Sequence, residues 1–186
     1  MAIFGTSLLV TVACRQPEAP AAGYTVTATV KDLMRSLIDP SADVVWESVG
    51  TIVSDQGIVE TAPRTDEDWA NVRNGVLRLA EATNLLMMPG RAAAAPGEKS
   101  VAPGVELEPH DIEDLINSDR EAWNARARAL LDATLKALRS VDARDSQALF
   151  DVGEQIEMAC EGCHSHFWYP NQPLPSSLSP SRPDAN

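Results

Sequence analysis

Cations are scarce in this 186-residue chain: 15 Lys and Arg stand against 27 Asp and Glu, a net charge of −12. Phosphate backbones are bound by clustered Lys and Arg, so nucleic acid is excluded as a partner. An acidic surface instead favours partner proteins with basic patches. Aromatics are also few, at 5%. The apolar core must therefore come from Leu, Val, Ile and Ala. Long apolar runs are missing too. The apolar start, Met1 to Cys14, is too short to cross a bilayer as a helix. No stretch alternates convincingly as a strand of useful length. Nothing resembles a hydrolytic triad, a phosphate loop or a paired-carboxylate site, so no enzyme is expected. Asp111, Glu113 and Asp114 read as a solvated face.

What is present fits one globular domain, with 44% hydrophobic residues. The start carries Ile3, Phe4, Leu8, Leu9, Val10 and Val12, the apolar core of a secretory signal. Thr11-Val12-Ala13-Cys14 resembles a bacterial lipobox, with Thr where Leu is preferred and no Lys or Arg ahead of the run. Residues 1–13 are thus expected as a signal segment. Cys14 is the expected lipidation site, and 14–24, rich in Pro and Ala, a tether. The expected location is periplasmic, with the membrane touched only through that lipid. Residues 170–186, rich in Pro and Ser, read as a tail.

Between tether and tail, residues 25–169 read as four helical segments. The first spans about Thr25 to Val53. Val30, Leu33, Met34, Leu37, Ile38, Val44, Val45, Val49, Ile52 and Val53 form its stripe. Pro40 interrupts it without breaking phase, which predicts a kink with a restart capped by Asp39. The second opens at Thr65-Asp66-Glu67-Asp68 and runs along Trp69, Val72, Val76, Leu79, Ala80, Thr83, Leu86 and Met87 to Pro89-Gly90. A long Ala/Pro/Gly connection follows. Its stretch 92–103 reads as merely flexible, with a short helix at Asp111–Ile116. The third opens with a capping box at Ser118 and carries Trp123, Ala127, Leu130, Leu131, Thr134, Leu138 and Val141. The fourth starts near Asp142 or Asp145. Its stripe is Leu149, Val152, Ile156, Cys160, Cys163 and Phe167, and Pro170 ends it.

That last stripe contains the most informative residues, Cys160-Glu161-Gly162-Cys163-His164. Cys-x-x-Cys-His is the attachment signature of c-type haem. The two thiols bond the macrocycle as thioethers and the histidine reaches iron as proximal ligand. Residues three and four apart share a helix face, so all three meet one side of a flat group. A thioredoxin-like dithiol would open a helix after a strand, and none precedes. A zinc site would need Cys160, Cys163, His164 and His166, four ligands crowded into seven helical residues. The expected fold is all-α: an antiparallel up-down-up-down four-helix bundle with one covalent haem c near the C-terminal helix.

On the late position of the motif, the four-helix order and Met34, the chain resembles the cytochrome c′ class of monohaem cytochromes over Thr25 to Tyr169. The resemblance implies a sixth iron position under the first helix. Low-spin members fill it with methionine, and gas-binding members with an apolar residue that does not coordinate. Here the matching residue is Met34. Met87 and Met88 sit at a helix end, and Met158 shares the motif's own helix. The resemblance also implies a basic residue shortly after the motif, near a haem propionate. This chain has none there, and Arg35 is the candidate in its place. His166 and His110 read as surface residues. Trp46, Trp69 and Trp123 read as core, and Trp168 and Tyr169 as cover for a haem edge. The implied function is electron transfer between redox partners, with His164 and Met34 on iron. The alternative is a five-coordinate haem binding nitric oxide or carbon monoxide. A homodimer is left open.

Overall fold

The computed structural model describes residues 23–172. The expected signal segment, Cys14 with nearly all of the tether, and residues 173–186 lie outside the described residues. The described part is mostly helical, with one small antiparallel hairpin.

The first helical rod has three pieces: α1 (Val30–Leu33), a π-helical turn (Met34–Ile38) and α2 (Asp39–Ser48). Thr29 and Asp32 start it with a reciprocal capping box. Pro40 explains the π turn. It has no N–H to donate, and its ring crowds the carbonyl four residues back. The turn before it widens, so that Asp39 N–H bonds Met34 O, five residues back. The rod therefore continues through the proline as the phase predicts. Asp39 makes no side-chain cap, contrary to the sequence reading, because no restart is needed.

The rod also ends earlier than expected. Val49 is extended, and Ile52 and Val53 lie on a hairpin of β1 (Gly50–Ser54) and β2 (Gly57–Thr61). Ile52 pairs with Val59 and Val53 with Ile58. The β-branched clusters Thr51-Ile52-Val53 and Ile58-Val59 favour strand, and Gly57 at φ 124° turns the chain. The helical spacing of Ile52 and Val53 was coincidental.

Helix α3 (Asp66–Leu86) opens on the Thr65–Asp68 capping box, and its predicted stripe is buried up to Leu86. Met87 lies past its end, half-buried. Gly75 lets α2 approach: a Cβ there would meet Val44 Cγ1 at 2.7 Å. The connection after α3 is not merely flexible. Val30 and Lys31 N–H bond Ala92 and Ala93 O at 2.9 and 3.0 Å. The buried Arg91 guanidinium caps Leu85 O and Ala28 O. Glu113, expected on a solvated face, holds Ala93 N–H at 3.1 Å. Short-range patterning could not show this strap, since most of its partners are 20 to 63 residues away.

The short helix α4 (Pro109–Ser118) is longer than expected. Ser118 ends it, so Asp119 caps α5 (Arg120–Asp142), accepting from Ala122 N–H. Asp145 caps α6 (Ser146–Phe167) in the same way. α2 packs on α3, α3 on α5, α5 on α6, and α6 returns to α2. Val45, Val76, Leu79, Leu149 and Ile156 are sealed inside this ring. Each such side chain contributes about 1.5–3 kcal/mol by leaving water.

Candidate functional site

The buried stripe of α6 loses its cover toward its C-terminal end. Leu149, Val152 and Ile156 are buried; Cys160 and Cys163 are only half-buried. They face a cavity of about 390 Å³, together with His164. Across it stand Met34 and Ile38 from the π turn, Trp46 from α2, Leu86 from α3, and Trp123 and Leu130 from α5. A second cavity of about 260 Å³ shares Met34, Asp39 and His164 with the first. Its other walls include Lys31, Arg35, Lys99, Trp168 and Tyr169. Met34 and His164, from the first and last helices, thus border the same two spaces. The first hollow is of ligand size.

Met34 opens the π turn, and its position follows from Pro40. π turns recur at functional sites because they re-aim side chains from a regular helix.

Burial sets the electrostatics. It pushes the Cys160 thiol up to about 12, and the neighbouring Cys163, Asp39 and carboxylates of Glu161 and Glu157 add to the rise. Burial raises Cys163 to about 11, opposed by Arg126. Both are neutral thiols near pH 7, unlike the thiolates of redox-active pairs. Burial lowers His164, against the pull of Glu161, Asp39 and Glu106. A neutral imidazole is the metal-binding form. Asp39, at the rim of both cavities, is raised by desolvation, opposed by His164.

Among the described residues no three His, Cys, Asp or Glu groups converge as a metal cluster. His166 does not join Cys160, Cys163 and His164; its ring packs edge-on against Phe167 at 4.6 Å. The donor set suits a flat group bonded from one side: two thiols and one imidazole on a helix face, with a thioether across the hollow.

Arg35 is exposed and borders the second cavity only. Sequence reading missed Arg126, the sole Lys or Arg among the described residues lining the first cavity. Its Nη1 donates to Gly162 O at 2.6 Å. Its place three residues after Trp123, beside Ala127 of the buried stripe, was the available signal. Trp46 was expected in the core, yet it is 38% exposed and walls the cavity, its indole N–H bonded to Gly153 O. Trp123 is core and wall together. Trp168 and Tyr169 border the second cavity. Met87, Met88 and Met158 border neither. His110 is exposed beside Asp111.

Comparison with family models, curated proteins and solved structures finds no match to this chain. No helix among the described residues is long and apolar enough to cross a membrane.

Proposed function

We propose that this protein is a monohaem c-type cytochrome of the cytochrome c′ kind, an electron carrier rather than an enzyme. The observation that carries the reading is the shared cavity of Cys160, Cys163, His164 and Met34. In this reading the ring of α2, α3, α5 and α6 is an up-down-up-down four-helix bundle. Cys160 and Cys163 hold one haem c as thioethers. His164 is the proximal ligand and Met34 the distal one.

When bound, the haem supplies a one-electron iron couple. The chain's own residues set its surroundings. As an iron ligand, Met34 would favour a higher potential than a second nitrogen ligand would. Ile38, Leu86 and Leu130 give the first cavity apolar walls. Arg35 remains the propionate candidate from the second cavity. Asp39, Glu157 and Glu161 give the cavity walls an acidic character. With a net charge of −12, that supports partner proteins with basic patches. Export to the periplasm and a lipid on Cys14 belong to the same proposal.

The test is to mature the full-length chain in bacteria with a cytochrome c assembly system. Denatured-protein mass should show one added haem, and an N-terminus at Cys14 with lipid. Oxidised and reduced absorption spectra should be low-spin. A bare polypeptide mass would sink the haem reading. A high-spin spectrum in both states would replace electron transfer with nitric oxide or carbon monoxide binding.

A further inference from the structure

One polar arrangement beside the motif has no part in holding the haem. Glu161 stands between the two cysteines, three residues before His164, so both share a helix face. Its two oxygens have different neighbours. Oε2 accepts from the Tyr169 hydroxyl at 2.7 Å. Oε1 lies 3.9 Å from His164 Nδ1.

Tyr169 is held in place to do this. The helix unwinds after Phe167, and the N–H groups of Trp168 and Tyr169 both donate to His164 O, at 2.8 and 3.0 Å. The strap secures the same turn, Leu107 N–H donating to Trp168 O at 2.8 Å. The Tyr169 ring stands edge-on to the His164 ring, centroids 6.2 Å apart. Glu161 is therefore fixed from its far side, with its other oxygen 3.9 Å from the imidazole, within charge contact but longer than a hydrogen bond.

A histidine that ligates a metal through one nitrogen generally donates its other N–H to a carboxylate, a carbonyl or water. That partner fixes the tautomer and makes the ring a stronger donor. We propose that Glu161, braced by Tyr169, is a positioning residue that holds His164 as the Nδ1–H tautomer, leaving Nε2 for iron. The inference rests on the haem reading of His164. Its chemical consequence is a more electron-rich proximal ligand, which stabilises ferric over ferrous iron and lowers the midpoint potential.

Two measurements test it. In the haem-loaded full chain, Glu161→Leu should raise the midpoint potential, and Glu161→Gln should raise it less, with covalent haem unchanged by mass. In the haem-free chain, nitrogen-15 chemical shifts of His164 should show the Nδ1–H tautomer in the wild type. Glu161→Leu should shift it toward the Nε2–H form. Covalent haem with an unmoved potential in both variants overturns the proposal and leaves the cytochrome reading standing. An Nε2–H tautomer in the wild type overturns it as well. Absence of haem from the matured wild type defeats the cytochrome reading instead, while the haem-free tautomer still reports on Glu161. Should Glu161→Leu fail to fold, Glu161→Gln retains the shape and carries the potential measurement.

Discussion

Two sets of apolar residues escape full burial, one in a hollow and one on a projection. At the C-terminal end of α6, Cys160 and Cys163 look across a cavity at Met34, Trp46 and Leu130. On the hairpin, Ile52, Val53, Ile58 and Val59 are 59–74% exposed and pair with one another across the strands. Exposed apolar area alone does not mark a site, since most protein surfaces carry some. The hollow differs in being walled by the first rod, α3, α5 and α6, with sulfur and imidazole among its lining groups. A flat ligand would complete the hollow. Nothing about the hairpin specifies what would complete it.

The largest effect should come from removing the one donor on the far wall. Met34→Ala in the haem-loaded protein should turn it high-spin and abolish the ferric charge-transfer band near the red edge of the spectrum. The reduced form should then bind carbon monoxide rapidly, which wild type should do slowly or not at all. The fold should survive, because Leu33 and Ile38 on the same rod stay buried. Met34 is half-buried at a cavity wall, so its truncation should cost less than the about 2–5 kcal/mol of a fully buried methionine. An unchanged spectrum would make Met34 simple packing and erase the chemical half of the comparison.

The helices were largely legible because capping and apolar spacing act within a turn or two. Thr65 with Asp68, and Asp145, fixed their helix starts, and Leu149 to Phe167 fixed the face that carries the motif. Pro40 announced a disturbance but not its form, since a π turn depends on how the whole rod packs. Ile52 and Val53 misled because one step of three or four after Val49 is too short a run to tell helix from strand, and β-branching decided. The strap could not be read, because Arg91, Glu113 and Leu107 act on partners distant in sequence. For the site, the motif named one wall. Trp46 and Arg126 on the other walls belong to helices whose orientation no local pattern gives.

The comparison sharpens at the seam between α2 and α3, where there is no spare room. A Cβ on Gly75 would lie 2.7 Å from Val44 Cγ1 and 2.9 Å from Val44 Cβ. The second atom cannot swing away, so the helices must part. Overpacking of this kind costs about 1–3 kcal/mol. The helical preference for Ala over Gly returns about 1 kcal/mol. Gly75→Ala should therefore lower stability in urea melts by up to roughly 2 kcal/mol. Adding Val44→Ala should recover part of the loss. A variant more stable than wild type would show that the seam is loose and that the cavity is not special in having room.

The smallest effect belongs to the projection. Val53 and Ile58 are a cross-strand pair, 74% and 68% exposed. Replacing both by Thr removes little buried area and keeps β-branching, which suits the strands. Gly57, which makes the turn, is untouched. Surface changes away from packed features usually stay within about 0.5 kcal/mol. Val53→Thr with Ile58→Thr should thus leave the urea midpoint and slope nearly unchanged, and the haem spectrum identical. Solubility should rise, since the pair is an exposed apolar patch beside open strand edges. A loss above about 1 kcal/mol would mean that the hairpin is covered in solution. A concentration-dependent midpoint in the wild type, absent from the variant, would identify the cover as a second copy of the chain. The contrast between hollow and projection would then collapse, because both would be sites awaiting a partner.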